Sequence, residues 1–220
     1  MINLLFPKLV ACLSAYCIGA FPTGYLFARS IKGIDIREHG SGNVGATNVF
    51  RVVGKVPGIV ALIIDIAKGA IAVILVPLIM TKIVGEAFAA VSLKTVLGFL
   101  VVCGHIWTPF LQFRGGKGVA TTIGVLAILA PKALLIYLGV WVVVFTIWKY
   151  VSFASVISGI ALPMIAVALD KDITFIIFSV TICIINSYRH IGNIKRLLKG
   201  IEPKTHLKKK KGNNGNSVNI

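Results

Sequence analysis

Acidic side chains are scarce in this sequence: seven Asp and Glu among 220 residues, against 23 Lys and Arg. A site that holds magnesium for phosphoryl chemistry needs clustered carboxylates, and no such cluster occurs, so no metal and no other cofactor is expected. Charge of either sign is thin as well. Only 14% of the residues are charged and 57% are hydrophobic, whereas soluble domains carry about 25% charged residues. That balance excludes an ordinary soluble domain and makes the bilayer the expected solvent. Cysteine is sparse too. Cys12, Cys17, Cys103 and Cys183 all lie in apolar stretches without metal-like spacing, so they read as small hydrophobic residues. The N-terminus has no basic stretch ahead of its first apolar run and no small-residue cleavage site after it. It reads as a retained span.

What is present is a series of apolar runs: Leu4–Arg29, Val56–Met80, Thr95–Phe110, Val119–Trp148, Ser152–Leu169 and Ile173–Ser187. Between them lie a polar, glycine-rich loop at 30–55, a mixed linker at 81–94 and a short basic segment at 111–118. The run at 119–148 exceeds the roughly 20 residues that cross the hydrocarbon core. Pro131 interrupts it, and proline breaks the helical ladder, so it is expected to form two spans. The fold class is therefore an all-α integral membrane protein with seven transmembrane helices. Basic residues set the orientation. With seven spans and the N-terminus outside, only Lys8, Lys82, Lys94, Lys132 and Lys171 fall on the outer side, and the C-terminus is cytoplasmic. The net charge of +16 then reflects the positive-inside rule and attraction to anionic membrane lipid, with no nucleic acid as partner. Residues 1–202 form one membrane domain. Residues 203–220 carry Lys208–Lys211 followed by Gly, Asn and Ser, cannot bury a core and are expected to be disordered.

Three polar segments carry the chemistry. The first contains Gly40, Ser41, Gly42, Asn43, Gly45, Thr47 and Asn48, then Arg51. Its glycine spacing matches a dinucleotide-binding fingerprint, with Asp65 twenty residues past Gly45, but no strand precedes it and Asp65 sits in an apolar helix. That reading is rejected. The physics of the glycines remains: backbone amides can approach an anion closely, a following helix start adds partial positive charge, and Arg51 supplies a fork. The second segment is His105 followed by Arg114-Gly115-Gly116-Lys117-Gly118. It is not a Walker loop, because Leu111 and Gly118 stand where glycine and Ser or Thr are required. Paired glycines beside a lysine at a helix start still suit an oxyanion. The third segment places Asn186, His190 and Asn193 on one helical face, flanked by Arg189 and Arg196. Asp65 and Lys68, three apart inside the second apolar run, read either as a structural pair or as a substrate contact at the floor of a site. The topology puts all three segments on the cytoplasmic face.

These stretches, GSGNVGATNVFRVVGK at 40–55, DIAKG at 65–69, GHIWTPFLQFRGGKGVATT at 104–122 and SYRHIGNIKRLLKGIE at 187–202, resemble the motifs of the bacterial acyl-phosphate:glycerol-3-phosphate acyltransferase family (PlsY). The resemblance implies a metal-independent enzyme in the bacterial cytoplasmic membrane, with its site on the cytoplasmic face. It implies transfer of a fatty acyl group from acyl phosphate to the sn-1 hydroxyl of glycerol 3-phosphate, the first acylation of phospholipid synthesis. By similarity Ser41, Arg51, Lys117, His190 and Asn193 are the expected catalytic set. Gly42, Asn43, Thr47, Asn48, Gly115, Gly116 and Arg189 are expected to bind substrate, and Asp65, Lys68 and His105 to support them. In that scheme Lys117 and the Gly115 and Gly116 amides grip a phosphate with help from Ser41, while Arg51, His190 and Asn193 hold glycerol 3-phosphate. The hydroxyl proton is expected to pass to a substrate phosphate, because His190 has no evident acid to orient it. The main rival is a membrane transporter for a phosphorylated metabolite, which would want a midplane site.

Overall fold

The structure is a computed structural model and describes residues 4–88 and 90–204. Among the described residues it is all helical: α1 (Leu5–Ala20), α2 (Thr23–Lys32), α3 (Ala46–Val52), α4 (Lys55–Val84), α5 (Val91–Ile106), α6 (Val119–Leu129), α7 (Pro131–Trp148), α8 (Val151–Ala168), α9 (Ile173–Arg189) and α10 (Ile191–Leu198), with three short 3-10 turns. The tail beyond 204, with Lys208–Lys211, lies outside the described residues.

Five helical stretches are long and apolar enough to cross a bilayer, or six if α9 and α10 are one bent span; α1 and α2 count together as one of the five. The first apolar run is less regular than its composition suggests. Phe21 and Pro22 break it, and Thr108 Oγ1 caps the buried C-terminal end of α1 by donating to Ala20 O at 2.6 Å. The break in the fourth apolar run falls where proline puts it: α6 ends at Leu129 and Pro131 opens α7, where its missing N–H costs nothing. α6 has 11 residues, a rise of about 16 Å, which alone is short of the hydrocarbon thickness. Large apolar side chains such as Ile63, Val143 and Met164 face outward, as expected where lipid is the solvent.

The helices pack through small residues, because lipid gives no hydrophobic drive and close backbone contact must supply the attraction. A methyl group added at Gly69 of α4 would sit 2.2 Å from Thr121 O, and one at Gly124 of α6 would sit 1.9 Å from Ile66 O. Gly19 and Gly104 join α1 to α5 in the same way. One core cluster, including Val101, Val125, Leu126, Leu162 and Phe178, runs through the body. The charged pair expected in the second apolar run is present: Lys68 Nζ lies 2.8 Å from Asp65 Oδ1, both side chains buried. Thr23 Oγ1 donates to the same carboxylate at 3.0 Å, Lys68 also donates to Phe21 O at 3.1 Å, and His105 Nδ1 stands 3.7 Å from Asp65 Oδ1. These contacts tie the α1–α2 break to α4 and α5.

The polar segments gather at one end of the bundle. Lys117 meets Asn193, Ser152 meets Glu202, and Arg51 Nη2 reaches Pro203 O at 3.5 Å. At the opposite end Pro131, Lys132, Leu169 and Lys171 line a shared groove.

Candidate active site

The glycine turn after α5 is built from backbone bonds. Gly115 N donates to Ile106 O at 3.0 Å and Gly116 N to His105 O at 3.1 Å. Arg189, at the end of α9, donates from Nη2 to both glycine carbonyls, at 3.0 and 3.1 Å. A side chain at Gly116 would collide with the His105 ring, with a Cβ only 2.1 Å from Nε2. This corrects the sequence expectation for the turn. The Gly115 and Gly116 amides are spent on carbonyls and do not face a phosphate, and Arg189 is a clamp on the turn. His105 packs against Gly116 and stands near Asp65 on its other side.

The open amides lie slightly further along. Gly118 takes a left-handed conformation, with φ of 85°, and Thr122 N to Gly118 O is the first bond of the α6 ladder. The N–H groups of Val119, Ala120 and Thr121 therefore precede the ladder, at the positive end of a helix dipole. Lys117 stands next to them.

Lys117 Nζ donates to Asn193 Oδ1. Asn193 Nδ2 in turn donates to Glu202 Oε1 at 2.6 Å, Ser152 Oγ to the same oxygen at 2.7 Å, and Arg196 Nε to Glu202 Oε2 at 2.7 Å. Asn193 is thus engaged at both ends of its amide, as a link between the lysine and a buried carboxylate. Burial pushes the Lys117 amine down to about 8, against the pull of Glu202, with Arg196, Arg189 and Arg51 adding to the fall. Burial works to raise the Glu202 carboxyl, but hydrogen bonds from Ser152, Asn193 and Arg196 outweigh it and hold the group below its ordinary value.

Glu202 is the residue whose place in the site was missed from sequence. In the sequence it stands only at the end of the stretch at 187–202, with no role of its own. Its burial to 7% exposure was the missing fact, and its one sequence signal is that it is an acid ending a basic segment. His190 is 2% exposed, and its Nδ1 lies 2.8 Å from Asn186 O. A carbonyl only accepts, so Nδ1 carries the proton and Nε2 of the neutral ring is an acceptor. The argument against His190 as proton acceptor rested on the lack of an orienting acid. A backbone carbonyl does that work here.

The first loop folds on itself. Asn48, 2% exposed, accepts from Ser41 N at 3.0 Å and donates to His39 O at 2.9 Å. Asn43 Oδ1 accepts from Gly45 N at 2.9 Å. These two asparagines shape the loop. Ser41, Gly42 and Thr47 are exposed on it, and Arg51 projects from α3 toward Pro203, close enough for its charge to act on Lys117.

Below Lys117 a narrow cleft of about 10 Å³, room for roughly one water molecule, opens between α5, α6, α7, α8 and α9. Lys117, Gly118, Thr122 and Asn186 line it together with apolar Val102, Ile106, Ile182 and Ile185, and with Tyr137. A cation with helix-start amides, an accepting imidazole and an apolar cleft suit a reaction between an anionic head and an acyl chain. No group of three or more His, Cys, Asp or Glu able to hold a metal occurs among the described residues.

A family model described as glycerol-3-phosphate acyltransferase matches residues 9–200. A glycerol-3-phosphate acyltransferase of Desulforudis audaxviator is 41% identical over 195 residues, covering 89% of this chain and 94% of that protein. One of a Synechococcus species is 40% identical over 210 residues, covering 96% and 100%. Among solved structures, PlsY, an integral membrane glycerol 3-phosphate acyltransferase, superimposes in its glycerol 3-phosphate form with a TM-score of 0.80 at 35% identity, over 90% of this chain and 96% of that one. Its lysophosphatidic acid form gives 0.77 at 34% identity.

Proposed function

The chain belongs to the glycerol-3-phosphate acyltransferase family, and from that premise we propose that it moves a fatty acyl group from acyl phosphate to the sn-1 hydroxyl of glycerol 3-phosphate. The products are lysophosphatidic acid and inorganic phosphate. The protein is a membrane acyltransferase of phospholipid synthesis, and the observation that carries the site assignment is the Lys117–Asn193–Glu202 chain beside an apolar cleft.

Acyl phosphate is an activated donor, so the protein's task is to hold two anions and stabilise a developing oxyanion. Lys117, aligned by Asn193, and the first amides of α6 take the phosphate of the donor. Arg51 and Ser41 close the rim over glycerol 3-phosphate. The glycerol oxygen bonds to the acyl carbon, the bond from that carbon to the phosphate oxygen breaks, and the electron pair leaves with phosphate. The hydroxyl proton passes to His190 Nε2 and then to the departing phosphate. The acyl chain lies along an apolar groove between the spans, on the lipid-facing side of this cleft.

The chain crosses the membrane seven times in this reading, with its N-terminus outside and the site on the cytoplasmic face of a bacterial inner membrane. Support comes from the two ends of the bundle. Lys117 and Ser152 lie with residues 190–204, while Lys132 lies with Lys171, so α6, though short, runs from one end to the other. The basic residues outnumber acids at the Lys117 end and attract anionic lipid. A transporter for a phosphorylated metabolite is disfavoured, because Asp65 and Lys68, the charges within the body, are bonded to each other.

The test is phosphate release by purified protein given acyl phosphate and glycerol 3-phosphate. Release should require both substrates and fall at least a hundredfold in Lys117→Ala. No release, with counterflow of glycerol 3-phosphate in liposomes, would replace the enzyme with a transporter.

A further inference from the structure

Asn186 sits one turn before His190 and its side-chain oxygen is buried without a hydrogen-bond partner among the described residues. The side chain has little freedom. Its Nδ2 donates to Ser155 O at 2.8 Å, and the residue is 5% exposed. Gly159 makes the room, since a methyl group there would lie 2.2 Å from Nδ2. The amide cannot turn over, because a carbonyl facing the Ser155 carbonyl would repel it. Asn186 is one of the residues that line the cleft with Lys117, Gly118 and Thr122, so its buried oxygen lies close to where the phosphate-binding end meets the apolar end.

The donor it awaits is narrowly defined. An acyl phosphate has no hydroxyl. Glycerol 3-phosphate has two, on adjacent carbons, and the two acceptors that meet them differ in basicity. The attacking primary hydroxyl needs a group that can keep a proton, which an imidazole does and an amide oxygen does not. The neighbouring hydroxyl needs only an acceptor. Asn186 and His190, four residues apart, share a helix face and are tied together through the Asn186 carbonyl. We infer that Asn186 Oδ1 accepts the hydrogen bond of the C2 hydroxyl and so makes Asn186 a specificity residue for the glycerol backbone. The inference rests on the acyl-transfer reading above. A buried acceptor left unpaired is costly, and a site built to bond a hydroxyl rejects the analogue that lacks it.

The experiment compares glycerol 3-phosphate with propane-1,3-diol monophosphate, which keeps the attacking hydroxyl and the phosphate but lacks the C2 hydroxyl. The wild-type enzyme should show kcat/KM at least tenfold lower for the analogue. In Asn186→Leu and Asn186→Ser that ratio should shrink below about threefold, because the acceptor is gone or falls short. A merely structural role for Asn186 would lower both rates and leave their ratio unchanged. Equal use of the two acceptors by the wild type overturns the inference even if neither variant accumulates. An unchanged tenfold ratio in the variants also overturns it. Transfer to neither compound would instead remove the acyltransferase reading itself.

Discussion

Asn193 donates to Glu202 across 2.6 Å while its oxygen receives Lys117, so the cation of the site is aimed by a carboxylate it does not touch. Glu202→Ala should uncouple Ser152, Asn193 and Arg196 at once. The loss of charge-assisted bonds of this kind costs about 2 kcal/mol. Thermal unfolding in detergent should shift down, and kcat/KM for phosphate release should fall at least tenfold. A variant with full stability and full activity would show that the chain does not organise Lys117.

Lys117 gives the pH dependence. Its amine falls to about 8 from the ordinary lysine value of 10.5 under the cost of burial. Below about 8 the group is a cation and grips phosphate; above that it is neutral. The kcat/KM profile should therefore have an alkaline limb near pH 8, and Lys117→Arg should move that limb upward. The stability sign is opposite. A lysine whose folded pKa is depressed binds its proton more tightly in the unfolded chain, so its penalty on folding is full below about 8 and disappears as pH rises toward 10.5. Unfolding midpoints at pH 7 and 10, compared with Lys117→Met, should show this difference.

His190 is oriented as an acceptor by the Asn186 carbonyl. His190→Gln keeps a polar side chain but removes the base. The expected result is a drop of at least a hundredfold in kcat, little change in KM, and loss of the acid limb of the rate profile. Retained kcat with an unaltered profile would return the proton to the substrate phosphate.

Asp65→Asn should leave the Lys68 ammonium in the bundle without its counter-charge. Breaking one half of a buried pair costs about 3 kcal/mol or more, whereas replacing both halves is far milder. Asp65→Asn should lower the unfolding midpoint in detergent, and adding Lys68→Met should restore most of it. If the double variant is as unstable as the single one, the pair is not what holds the α1–α2 break to α4.

The fold was largely legible because lipid imposes length and polarity on the chain. Apolar runs, the Pro131 break and the Asp65–Lys68 spacing led directly to helices and a buried pair. The break at Phe21 and Pro22 was hidden inside a run of uniform hydropathy. In the site, residue types pointed to segments that the fold brings to one end of the bundle, but not to the partner of each group. Gly115 and Gly116 looked like an anion cradle, since composition cannot say whether an amide faces outward or is bonded to Ile106 and His105. Glu202 was overlooked for the converse reason. Its role depends on meeting Ser152 and Asn193, contacts that only the folded chain creates.

The bonds from Asn193 to Glu202 and from Arg51 to Pro203 have a consequence for biosynthesis. The site is completed by residues that leave the ribosome long after the early helices have been made. A chain halted before residue 202 lacks the carboxylate that holds Asn193, so its Lys117 is left without that alignment.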